Sequence, residues 1–268
     1  MTSWKRRQRR KEEVKARVKQ PDHMYSYCRV IGCKKPARAV TSDGLDLRFC
    51  KSHAEQYRTH GSPYKKSYTA KVLNPYRRAA LAWITENEDA RSVTNAIQRV
   101  NGLYQRAGPH VEAFRLRGSN PRERAWAAWA RLRKAEVDPR LPLAAWLAVE
   151  MVIADDPQGD WHREFKQVQA SKIVHRMASG SHKRWEREVP AAFRPGKPPK
   201  IHVEELHVYP RSRGRVLRHI GKDLEEAADL LVDHHLADVH TFKREQDQRG
   251  AFADRPYPKG VAARGRSA

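Results

Sequence analysis

Three cysteines and one histidine carry the clearest chemistry in this chain. Cys28 and Cys33 enclose four residues, sixteen more lead to Cys50, and two separate Cys50 from His53. Thiolate sulfur and imidazole nitrogen are ligands of tetrahedral Zn²⁺, and two close pairs joined by a longer spacer are what a structural zinc site needs. Gly32 lets the first pair turn back so that both sulfurs face one centre. Asp43 and Gly44 offer the turn of a hairpin between the pairs. Cys50 is expected at a helix start, with His53 one turn later on the same face. Four side-chain ligands leave no open position, so this zinc is expected to hold the fold and perform no chemistry. The competing reading is three unrelated buried thiols. It leaves unexplained why every cysteine of the 268-residue chain falls between positions 28 and 50, beside a histidine at ligand spacing.

The elements that must position these residues follow from composition and periodicity. Residues 1–20 form a basic arm with Lys5, Arg6, Arg7, Arg9, Arg10, Lys11, Lys15, Arg17 and Lys19 against Glu12 and Glu13. Such a block repels itself and is expected to be disordered until it meets DNA or RNA. Residues 21–70 are the zinc-binding module, treble-clef-like, and 71–188 a central helical bundle. There Val93, Ala96, Ile97, Val100 and Tyr104 follow the spacing of a buried stripe. Ser119 or Asn120 before Pro121 marks a helix start, continued by Ala125, Trp126, Trp129 and Leu132. LPLAAWLAVEMVIA is apolar on nearly every side and is expected at the centre. Residues 161–179 give a further helix, with Trp161, Phe165, Val168 and Met177 inward. Six of seven tryptophans lie in this region, which implies one aromatic-anchored core. A Pro-rich linker is expected at 189–200, then a ββα unit at 201–246, with IHVEELHVY and RVLRHI as its strands and a helix from about Asp223. Residues 247–268 are expected to be disordered.

Charge then narrows the function classes. Fifty-four Lys and Arg against thirty-one Asp and Glu leave +23 with histidine neutral. A surplus of this size needs an anionic partner, and phosphate contacts that release condensed counterions make nucleic acid the expected one. Membrane headgroups are a weaker option, because the basic block has few apolar residues with which to enter a bilayer. No apolar run approaches about 18 residues, and the basic start leads into no apolar segment, so neither a membrane span nor a secretory signal is expected. Three cysteines do not make a stapled secreted scaffold, and a cytoplasmic setting follows. A hydrophobic content of 39% lies below the roughly 45–50% of ordinary globular chains, so part of the chain is expected to be thinly packed.

The stretch CRVIGCKKPARAV…LRFCKSHAEQYRTHGSPYKK resembles the small zinc finger of many phage and actinobacterial proteins, often attached to HNH homing-type nucleases. Cys28, Gly32, Cys33, Pro36, Cys50, His53, Tyr57, His60, Gly61 and Pro63 are the agreeing positions, and the match spans about 26–66. The spacer before Cys50 is longer than in the family. The resemblance implies a finger that binds DNA or steadies contact with it. Lys51, Arg58, Lys65 and Lys66 would then meet phosphates, with Tyr57 and Tyr64 as stacking partners.

The same resemblance calls for an HNH site, a hairpin and helix in which a histidine acts as general base beside a catalytic divalent metal. VEELHVYPRSRG faintly resembles its opening, with His207 as the weak candidate base, and the following helix offers Asp233, His234, His235 and His240. Yet the stretch has no Asn, Leu206 replaces the acidic neighbour, and the second cysteine pair is missing. No phosphate-binding Gly-rich loop and no G-x-S-x-G elbow appears. The reading is a mainly α-helical cytoplasmic protein of phage or mobile-element type that contains structural zinc and binds nucleic acid, DNA foremost. A surface of the helical domain is kept as a possible protein partner site. An HNH-like metal-dependent endonuclease, and an assembly protein that neutralises nucleic acid, are the alternatives.

Overall fold

The computed structural model describes residues 3–19, 27–37, 48–116, 118–178, 180–189, 200–210 and 214–250. Among these residues the chain is mainly α-helical, with helices α1 (Ser3–Lys19), α2 (Lys51–His60), α3 (Ala70–Glu86), α4 (Arg91–Arg106), α5 (Pro121–Lys134), α6 (Arg140–Asp155), α7 (Arg163–His175) and α8 (Arg215–Gln248). Strands β1 (Ser181–Val189) and β2 (Lys200–Val208) form an antiparallel pair.

Helix α6 is the centre of the bundle. Leu143, Ala145, Leu147, Ala148, Met151 and Ile153 are fully buried, as an apolar circumference demands. Pro142 is accommodated because it stands in the first turn, where its missing N–H leaves no helical bond unmade. Helices α3, α7, α8 and α4 surround α6, and α8 also touches α5. The α4 stripe Val93, Ala96, Val100 and Tyr104 is buried, with Ile97 packed partly against it. Helix α5 begins in a capping box: Asn120 Oδ1 accepts from the Glu123 amide at 2.9 Å, and Glu123 Oε2 accepts from the Asn120 amide at 2.9 Å.

Several expectations are corrected. RVLRHI is not a strand but the first turns of α8. Val216, Leu217, Ile220, Leu224, Ala227, Ala228 and Leu231 recur three and four apart and are all buried, a helical period that overrides the strand-like composition. Helix α8 therefore belongs to the bundle and not to a satellite ββα unit. At Gly221 any Cβ would lie 2.6 Å from the Gln167 carbonyl oxygen, so the α7–α8 crossing depends on glycine. The partner of β2 is 181–189, in a register that sets Ser181 opposite Val208 and Val189 opposite Lys200. Residues 190–199, most of the expected linker, join the two strands and lie outside the described residues; of the tail expected at 247–268, residues 247–250 close α8 and its final turn, and the rest lies outside the described residues.

The tryptophans divide. Trp83, Trp129 and Trp146 are buried, whereas Trp126, Trp161 and Trp185 are exposed. The inner stripe of α5 runs through Ala125, Ala128, Trp129 and Leu132, which turns Trp126 outward beneath Arg122. Trp161 precedes α7 and lies under Lys166, while Phe165 and Val168 face inward and Met177 is half-buried. The basic arm is a helix over Ser3–Lys19. Lys, Arg, Gln and Glu are good helix formers, and that propensity prevails over mutual repulsion.

Candidate metal centre

Residues 27–37 and 48–50 build a small cluster of Cys28, Val30 and Cys50, with Cys33 and Phe49 packed against it. The Cys28 amide donates to the Lys35 carbonyl and the Cys33 amide to the Val30 carbonyl, both at 2.9 Å. Gly32 takes φ +78° between them, the left-handed turn expected of it. The Arg29 amide donates to the Arg48 carbonyl at 2.9 Å, which brings the second half alongside. Cys50 is the N-cap of α2, and His53 lies in its first turn.

These elements bring the four expected ligands together, with all donor atoms within 4.8 Å of one another. Cys28 Sγ lies 3.3 Å from His53 Nδ1, Cys50 Sγ 3.4 Å from the same nitrogen, and Cys33 Sγ 4.0 Å from Cys50 Sγ. Zinc bonds of about 2.3 Å to sulfur and about 2.0 Å to nitrogen give tetrahedral edges of about 3.5–3.8 Å. The donor set and its spacing therefore fit a Cys₃His zinc ion, with Nδ1 as the nitrogen ligand. Burial by itself would raise the Cys50 thiol. The backbone N–H groups of His53 and Ser52, with the Cys28 and Cys33 thiols, hold it below its usual value. Burial pushes Cys28 up. The expected hairpin turn at Asp43 and Gly44 lies outside the described residues.

The expected nucleic-acid contacts separate into two groups. Lys51 is exposed beside Cys50, and with Lys35, Ser52, Gln56 and His60 it lines an open groove along α2. Lys66 and Tyr64 are exposed as well. Tyr57 is not a surface ring. Its phenol donates to Glu164, Arg218 lies 4.9 Å from its centroid, and Phe49 packs at 5.1 Å. Burial and Glu164 push its phenol up to about 12. Lys65 is likewise committed, donating to Asp156 at 2.5 Å, and Arg58 pairs with Glu55. Lys5, Arg7, Arg9 and Arg10 are exposed on α1, and the Arg6 side chain lies outside the described set.

Two features escaped the sequence reading. Lys34 and Lys35, directly after Cys33, add exposed charge next to the ligands; their adjacency was a usable signal. The second is the seam joining the module to the bundle. Arg218 Nη2 donates to the Tyr57 carbonyl at 3.2 Å, Gln169 Nε2 donates to the His60 carbonyl at 2.8 Å, and Lys172 Nζ donates to Ser67 Oγ at 2.6 Å. Burial, then Lys172 and Lys66, holds the His60 imidazole below its usual range. Gly61 has φ +82°, and a Cβ there would stand 2.7 Å from the Glu164 carbonyl oxygen. His60 and Gly61 thus dock the module, and their partners on α7 are too distant in sequence to be foreseen.

The helix histidines do not assemble a nuclease site around His207. His235 Nε2 is 2.6 Å from Ser92 Oγ, and His240 Nε2 is 2.8 Å from Asp155 Oδ1, so both serve the bundle. Asp233 and His234 are exposed on α8. Among the described residues no helix is long and apolar enough to cross a membrane. Comparison with family models, with curated proteins and with solved structures finds no match.

Proposed function

We propose that this chain is a nucleic-acid-binding protein, with DNA as its partner, whose phosphate-binding surface is held in place by structural zinc. One observation carries the reading: a Cys₃His set at near-tetrahedral spacing opens a helix among exposed Lys34, Lys35 and Lys51, on a chain of net charge +23. Thiolates and imidazole around zinc supply a rigid link between knuckle and helix. The surrounding lysines then face a polyanion from a fixed frame, and α1 adds a second basic surface. The resemblance of residues 26–66 to the phage and actinobacterial finger supports a treble-clef-like module of mobile-element type acting in a host cytoplasm. The agreeing positions Tyr57, His60 and Gly61 serve docking, and contact falls to the lysines.

Duplex affinity measured against salt tests this reading. Each phosphate neutralised contributes about 0.9 to the log–log slope, so a slope steeper than about −4 is expected for the arm and module together. An affinity that hardly changes between low and moderate salt contradicts the proposal.

A further inference from the structure

The β1–β2 hairpin carries a second cluster of metal-ligating groups, unrelated to the cysteines. The register sets His182 directly opposite His207, and Glu205 lies two residues along β2 on the same face. His207 Nε2 is 3.4 Å and His182 Nε2 4.0 Å from Glu205 Oε2, and the donor atoms of all three residues come within 4.8 Å of one another. The two imidazole rings stack with centroids 4.0 Å apart. Arg184 Nε sits 3.8 Å from the other carboxylate oxygen, Oε1, which leaves Oε2 toward the imidazoles. Each of the three is about half exposed, so an ion can reach them from solvent.

We propose that His182, Glu205 and His207 bind a divalent transition-metal ion of the Zn²⁺ class on the outer face of this hairpin. Two imidazoles and one carboxylate are a ligand set for such ions. Nitrogen and oxygen ligands at about 2.0–2.1 Å stand about 3.3–3.4 Å apart in a tetrahedral site. The Glu205–His207 spacing meets this, and a side-chain rotation at His182 brings the third donor in. Three protein ligands leave a position for water or another oxygen donor, in contrast to the closed cysteine site.

The hairpin also needs such a clip. Residues 182–188 of β1 are all exposed, and among the described side chains of β2 only Glu204, Leu206 and Val208 are half-buried; a two-stranded hairpin with so little cover is marginal in water. An ion bridging β1 and β2 fixes their register at the end nearest the bundle, where Ser181 donates to Glu112.

Zinc stoichiometry of the full chain, by equilibrium dialysis against micromolar Zn²⁺, tests the proposal. The wild type is expected to bind one more ion per chain than a His182→Ala/His207→Ala double variant of unchanged helical circular dichroism. That difference is the readout whatever the cysteine site holds. Glu205→Gln, which keeps the side-chain size, is expected to weaken the same ion at least tenfold. Added zinc is further expected to slow amide exchange across β1 in the wild type only. Equal stoichiometry in the wild type and the double variant overturns the assignment, as does zinc-independent exchange in the hairpin.

Discussion

His175 shows how a single buried side chain sets a pH limit. It lies within the α7 end, buried, and the Arg131 guanidinium donates to its carbonyl at 3.2 Å. Burial, then Arg131, Arg124 and Arg176, depresses its imidazole to about 3. In the unfolded chain the same group titrates near about 6.5. Above that value it is neutral in both states. As pH falls below it, the unfolded state takes up the proton first, and stability drops by about 1.4 kcal/mol per pH unit until the folded value is reached. Urea unfolding at pH 7 and pH 5 is expected to show a wild-type loss about 2 kcal/mol larger than that of His175→Gln. Parallel losses in the two proteins contradict this account. The four candidate metal ligands were legible at this scale because soft donors at fixed spacing have few other uses. Tyr57 was not, since its ring is claimed by Glu164 and Arg218, more than a hundred residues away.

At the level of elements, strong periodicity was legible and weak periodicity was not. Helix α4 followed from apolar spacing, α6 from a run apolar on nearly every side, and α5 from Ser119 or Asn120 before Pro121. Strand β1 reads SHKRWEREV, with a charge at most positions, and offers no alternation from which pairing could be inferred. The start of α8 is rich in β-branched and aliphatic residues and passes for a strand until its period is followed into 224–231. The docking of α2 against α7 is the element contact that matters most for the metal centre. Gly61→Ala places a Cβ against the Glu164 backbone at a left-handed φ, with an expected loss of about 1–3 kcal/mol in stability. Chemical denaturation reads the loss; a variant as stable as the wild type shows that α2 does not depend on this seam.

Over the whole molecule, the apolar core and the metal centre lie in regions of different composition. Helices α3–α8 hold nearly all the buried apolar residues and form a rigid support. The metal centre and about half of the basic surplus lie ahead of them, on α1, which is about 25 Å long, and on the 27–66 module. The placement of the cysteines was legible in the sequence. The return of the last long helix to the bundle was not, because that packing is fixed only in three dimensions. In the proposed function, zinc holds the lysines where phosphate meets them. The most direct measurement is duplex affinity against salt for the wild type and for Cys33→Ser, with zinc content determined on both. The expected result is about one zinc fewer per chain in the variant and a log–log slope shallower by about two to three units, the share of Lys34, Lys35 and Lys51 at about 0.9 each. A variant that has lost its zinc and still binds with the wild-type slope contradicts the claim.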